Sequence, residues 1–115
     1  MLHQGSCHCG KIAYEVEVAL DKVISCNCSH CSKKGYLLAF APRGALRLKT
    51  PEDAMATYTF NTHRIRHRFC PTCGCAPFGE GTSPSGEETA AINVRCLEGV
   101  ELDKLTIVQV DGRST

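Results

Sequence analysis

The sequence predicts a single all-β domain over residues 1–115, built of antiparallel strands and stapled by metal-binding cysteines. Three observations carry that reading. Apolar residues recur with a period of two, turn-forming residues fall between the alternating segments, and seven of the nine cysteines sit in tight clusters.

The strands are taken first, in chain order. In KIAYEVEV (residues 11–18), Ile12, Tyr14, Val16 and Val18 alternate with Lys11, Ala13, Glu15 and Glu17. Leu46 and Leu48 alternate with Arg47 and Lys49, and TYTFN (57–61) places Tyr58 and Phe60 on one face. AINVRC (91–96) does the same for Ile92, Val94 and Cys96, and TIVQV (106–110) can pair as a strand. Such alternation marks half-buried antiparallel strands, one face packed and one wet. Turn signals fall at Pro42–Gly44, at Thr50–Asp53 and across the Gly/Ser/Pro stretch at 79–88. Helical candidates are short, around 29–35 and 99–105.

Composition narrows the function classes. A formal net charge of +1 argues against bulk electrostatic binding of nucleic acid. No stretch approaches the roughly 18 apolar residues of a membrane span. The start, MLHQGSCHCG, lacks a basic segment followed by an apolar run, so a reducing, cytoplasmic setting is expected. There, clustered cysteines are more often metal ligands than a disulfide frame, which is the competing reading.

The clusters specify the chemistry. Cys70 and Cys73 form a C-x-x-C followed by Gly74, between extended segments rather than at the start of a helix in a βαβ unit. That context favours a metal knuckle over a thioredoxin-like redox motif. Pro71 helps start the turn, and Gly74 can adopt the positive φ that directs backbone N–H groups at sulfur. Cys7 and Cys9, followed by Gly10, offer a matching pair, so Cys7, Cys9, Cys70 and Cys73 are expected to close one four-sulfur zinc site. Cys26, Cys28 and Cys31 then remain as a second set with three ligands. Four protein ligands characterise a structural zinc; three with an open position characterise a catalytic one. An open, sulfur-rich zinc suits a substrate thiol as its fourth ligand. Alternatively Cys75 supplies that fourth thiolate and the second site is closed.

With these residues in view, the order GSCHCGKIAYEV, SCNCSHCSKKG, FCPTCGCAPF and INVRCLEG resembles the glutathione-dependent formaldehyde-activating enzymes, a family that includes centromere-protein-V-like proteins. The resemblance runs from about Gly5 to Gly99. It implies a twisted β-tent fold with two Zn2+ ions, one structural on Cys7, Cys9, Cys70 and Cys73, one at the active site on Cys26, Cys28 and Cys31. The implied activity is that of a carbon–sulfur lyase condensing formaldehyde with glutathione to S-hydroxymethylglutathione. Glutathione or another small thiol adduct is the expected partner, with no nucleic acid or membrane partner; exposed strand edges leave room for a homodimer. A non-catalytic zinc-stabilised binding module is the alternative.

Other residues carry weaker expectations. Lys33 and Lys34 follow the triplet and can offset the negative charge of a trithiolate zinc complex. Arg64, Arg66 and Arg68 fall on one face of an extended segment, either a solvated strand face or a partner for ligand carboxylates. His8 and His30 lie between ligands and are expected to point away, while His63 and His67 are expected as packed or surface histidines. Cys96, in phase with Ile92 and Val94, is expected as a buried inert thiol.

Overall fold

A computed structural model describes residues 1–60 and 62–112; Asn61, which ends the segment expected as a strand over 57–61, lies outside the described residues. In chain order the elements are β1 (Leu2–Ser6), β2 (Ala13–Glu17), β3 (Lys22–Cys26), α1 (Ser29–Lys34), β4 (Leu38–Pro42), β5 (Leu46–Leu48), β6 (Ala56–Tyr58), β7 (Arg66–Phe69), β8 (Phe78–Thr82), β9 (Glu88–Asn93) and β10 (Thr106–Val110). Short 3-10 turns occupy Arg43–Ala45, Glu52–Ala54, Val94–Cys96 and Leu102–Lys104. The protein is mostly β, as the alternation predicts. No helix among the described residues is long and apolar enough to cross a membrane.

The strands form two sheets. The smaller has the order β1-β2-β5, and the larger runs β10-β3-β4-β9-β8-β7-β6. Pairing is antiparallel except between β10 and β3, which run parallel with Val110 opposite Cys26. The first sheet buries the face its alternation promises: Ile12, Tyr14 and Val16 are fully buried, and Glu15 and Glu17 lie outward. Tyr14 crosses to the second sheet. Its ring meets Phe78 edge-on at 5.6 Å between centroids, and its hydroxyl donates to the Pro77 carbonyl at 3.4 Å. Pairs of this kind add about 1 kcal/mol beyond their buried area. Gly5 sits opposite Tyr14 in the β1–β2 ladder, and a Cβ there would lie 2.4 Å from the ring. The glycine is required because the tyrosine covers it.

The larger sheet has one face on this core and one face with an unusual pattern. In β4 the small residues Ala39 and Ala41 point inward, whereas Phe40 is 55 % exposed. Across the sheet, Phe40 pairs with Ala91, Ala91 with Gly79, Gly79 with His67 and His67 with Tyr58. A row of large, small, small, large and large residues leaves a valley over Ala91 and Gly79. The Gly/Ser/Pro stretch expected as a turn over 79–88 is therefore partly strand, with β8 running to Thr82 and the turn confined to the residues before Glu88. The expected strand over 91–96 ends at Asn93: the Asn93 side chain accepts from the Arg95 N–H and bends the chain into a 3-10 turn. Cys96 thus leaves the strand, although its surroundings remain half-buried and burial pushes its thiol up to about 11.

One buried carboxylate anchors the far end of the large sheet. Glu80 is 4 % exposed and accepts from Arg43 Nε and, at 2.8 Å, from Arg68 Nε. Burial alone would raise its pKa, but the Arg43 and Arg68 hydrogen bonds hold it below the ordinary carboxylate value. Arg68 also donates to Thr57 at 2.9 Å and pairs with Glu52, and Arg66 approaches Glu80 and Glu88 at 3.8 Å. The arginine stripe is therefore mainly neither a solvated face nor a free ligand grip. It is an ion-pair network, with Arg64 outside β7.

Candidate functional site

Two cysteine clusters are assembled, and they are the sets read from spacing. The sulfurs of Cys7, Cys9, Cys70 and Cys73 all lie within 4.8 Å of one another, as do those of Cys26, Cys28 and Cys31. Cys75 joins neither group, so the alternative in which it closes the second site is not realised among the described residues. None of the nine cysteines forms a disulfide.

The first cluster is built from two knuckles of like construction. Cys7 N–H donates to the Ile12 carbonyl at 3.0 Å, and Cys70 N–H to the Cys75 carbonyl at 2.9 Å, so each pair caps a tight loop. Gly10 and Gly74 both take φ +83°, where an L side chain is disfavoured. Backbone N–H groups then converge on sulfur: Ile12 on Cys7 at 3.3 Å, Thr72 on Cys70 at 3.3 Å and Cys73 on Cys70 at 3.4 Å. The donor set fits a tetrahedral dication. With metal–sulfur bonds of about 2.3 Å, a regular tetrahedron has sulfur–sulfur edges of about 3.8 Å, and Cys7–Cys9 and Cys9–Cys70 are 3.7 and 3.6 Å apart. The N–H groups of Cys75 and Cys9 pull the Cys73 thiol well down. Cys9 is pushed up: the Lys11 N–H favours its thiolate, but desolvation and the sulfurs of Cys70, Cys7 and Cys73 prevail. Thiols so crowded share protons, and a single dication can replace those protons.

The second cluster is made differently. Cys26 ends β3, held by the parallel strand through Asn27 N–H to the Val110 carbonyl at 3.1 Å. Cys28 caps α1, its sulfur accepting from Cys31 N–H at 3.3 Å, and Cys31 lies in the first helical turn. Gly35 ends the helix in the left-handed region at φ 71°. Burial disfavours the Cys28 thiolate, but the N–H groups of Cys31 and His30 and neighbouring thiols outweigh it and lower its pKa; Cys31 is pushed up to about 12 by burial and by Cys28. Gly112 passes close over this cluster: a Cβ there would sit 2.5 Å from Cys26 Sγ. Both clusters can hold a metal ion, and their all-sulfur donor sets suit zinc.

Two clefts adjoin α1. One, of about 410 Å³, is lined by His30, Lys33, Lys34, Tyr36, His67 and Tyr58, with Arg68 and Phe69 beyond. The other, of about 270 Å³, is lined by all three cysteines and walled by Ile24, Leu38, Phe40, Phe60, Ile65 and Val110. Tyr36 and His67 line both.

Sequence reasoning missed the aromatic–histidine cluster at this junction. His30 does not turn to solvent: its ring lies 4.2 Å from His67 and 5.3–5.5 Å from Phe60, Tyr58 and Tyr36. Its Nδ1 is buried without a hydrogen-bond partner among the described residues. Burial, His30 and Lys34 lower His67 to about 4. His30 and His67 come from a helix and a distant strand, so no spacing could reveal their contact. His8 is exposed, and His63, at φ 57°, shares a hydrogen bond with Thr59 at 2.8 Å rather than facing the site. Lys33 and Lys34 do reach it, from the last turn of α1.

The fold recurs in a known protein. A crystal structure of a Rhodobacter sphaeroides protein superposes with a TM-score of 0.78 at 32 % sequence identity, over 91 % of this chain and 99 % of that one. Residues 2–107 match the family described as glutathione-dependent formaldehyde-activating enzyme. With a match that spans nearly its whole length, this chain belongs to the glutathione-dependent formaldehyde-activating enzyme family.

Proposed function

We propose that residues 1–115 form one zinc-stapled domain, a cytoplasmic carbon–sulfur lyase that joins the thiol of glutathione to formaldehyde or a related carbonyl. Two Zn2+ ions divide the labour. Cys7, Cys9, Cys70 and Cys73 hold the structural one, and Cys26, Cys28 and Cys31 hold the one at the active site. The observation that carries this reading is the unequal count of sulfurs, four in a closed group against three beside a cleft.

When bound to the triplet, zinc supplies an electrophile that keeps a thiol ionised near neutral pH. The rest falls to the chain. The Cys31 N–H on Cys28 and the β10 contact at Asn27 fix the sulfurs, so no ligand must move when substrate arrives. Lys33 and Lys34 give glutathione carboxylates cationic partners at the rim. The aromatic walls exclude water and hold the thiol beside the carbonyl carbon, where orientation supplies most of the rate.

Cobalt substitution tests this. In Co2+-loaded protein, titrating glutathione should shift the visible spectrum of one of two metal sites, and Cys28→Ser should abolish the shift while leaving the other site's bands. A spectrum indifferent to glutathione means that no thiol enters the metal's coordination sphere, and the reading fails.

A further inference from the structure

The apolar cleft beside the triplet is too large and too dry for formaldehyde. Formaldehyde has two heavy atoms and occupies space on the order of two water molecules, roughly 60 Å³. The cleft lined by the three cysteines holds about 270 Å³, and a further hollow of about 250 Å³ shares Phe40, Ile65, Gly79 and Ala91 with it. Together they make a groove that leaves the cysteines and runs along the outer face of the large sheet.

The register explains the groove. Ala91 and Gly79 form its floor between Phe40 on one flank and His67 on the other. At Gly79 and Gly81 a Cβ would meet Ile65 atoms at 3.7 and 3.4 Å, so small residues keep the channel open beneath that side chain. Phe40 and Ile65 remain 55 % and 50 % exposed, although Ala39 and Ala41, the neighbours of Phe40 in β4, face the core. An apolar row on the outer face of a sheet is costly to leave wet.

Charge divides the two sides. The cationic groups Lys33 and Lys34 line the other cleft, across Tyr36 and His67. Carboxylates of the thiol substrate suit that cleft, or the polar cleft of about 270 Å³ where Arg95 faces Cys26 and Cys31, and the apolar groove suits the second reactant.

We infer that this second reactant is an aldehyde carrying an apolar chain or ring, seated along Phe40 and Ile65 with its carbonyl carbon toward Cys26, Cys28 and Cys31. The inference rests on the reading of the triplet as a thiol-activating site. In the reaction the thiolate sulfur forms a bond to the carbonyl carbon. The carbonyl π pair moves to oxygen, which takes up the equivalent of the proton lost by the thiol. Thiol and aldehyde sum to the hemithioacetal, with no redox change.

The test uses zinc-loaded protein, glutathione, and either formaldehyde or hexanal, with hexan-1-ol as a non-reacting probe. The expected result is a kcat/KM at least tenfold higher for hexanal than for formaldehyde, with hexanol binding seen by saturation-transfer NMR and competing with hexanal. Ile65→Ser and Phe40→Ser, both at exposed positions and with the zinc count as a folding control, should each lower the hexanal-to-formaldehyde ratio about tenfold. Acceleration of formaldehyde alone overturns the inference and leaves the proposed function standing. No acceleration of either carbonyl overturns both. A dimeric mass that Phe40→Ser returns to monomer, with no hexanol binding, assigns the groove to a second copy and also overturns it.

Discussion

The two cysteine clusters are built from the same atoms in different topologies. The four-sulfur cluster draws on two separate loops, one after β1 and one after β7, and each loop is tightened by a glycine at φ +83°. It joins the small sheet to the large one. The three-sulfur cluster comes from a single stretch, at the end of β3 and the start of α1, and spans nothing distant on its own. A metal in the first cluster closes a long loop; a metal in the second orders six residues. Loop closure is where a cross-link contributes most to folding, so the difference in topology predicts a difference in consequence.

The largest contrast lies between Cys73→Ser and Cys28→Ser. Structural zinc contributes on the order of 10 kcal/mol, comparable to the whole stability of a small domain, so Cys73→Ser should abolish cooperative unfolding in a thermal melt. Cys28→Ser should leave a folded protein that carries one zinc fewer, counted by chelator release. Equal damage from both would erase the distinction between the clusters.

Gly112 sharpens it. Alanine there brings a Cβ onto Cys26 Sγ, displacing one ligand of the open cluster alone. Gly112→Ala should weaken zinc binding at that site about 10- to 100-fold, the range seen when supporting groups around a ligand are disturbed, with the other zinc retained. Cobalt spectra of the variant report which site responds.

Smaller still is Gly74→Ala, which forces a side chain into the left-handed region for about 1–2 kcal/mol. It should lower the melting temperature by several degrees with both metals bound.

The smallest effect concerns acid. His67 is depressed to about 4 by burial, His30 and Lys34, so the unfolded chain takes up its proton first as pH falls below 6.5. Stability from this group is complete above pH 6.5 and declines between 6.5 and 4. His67→Phe should flatten the urea midpoint against pH in that window, measured on metal-loaded protein.

Much of this was legible in the chain, and the reasons are physical. Ile12, Tyr14 and Val16 alternate with polar neighbours because β2 has one dry face and one wet face. The cysteine sets are local pairs followed by glycines, and local geometry is what spacing encodes. The strand β4 escaped notice because its pattern is inverted: Ala39 and Ala41 face the core while Leu38 and Phe40 face the groove. β8 was legible only in part: the segment after Cys75 reads as extended, but Gly79 and Gly81 also read as turn residues, yet they line a channel. The junction of His30, His67 and Tyr58 arises from the register of β6 and β7 against α1, and no local pattern records it.

The parallel pairing of β10 with β3 has a consequence for how the molecule is made. Cys73, the last ligand of the closed cluster, leaves the ribosome before residues 106–110, which flank Cys26. Domains assemble as they emerge. All four sulfurs of the first cluster are therefore outside the ribosome before the strand that flanks Cys26, and a metal can bind them before β10 takes its place.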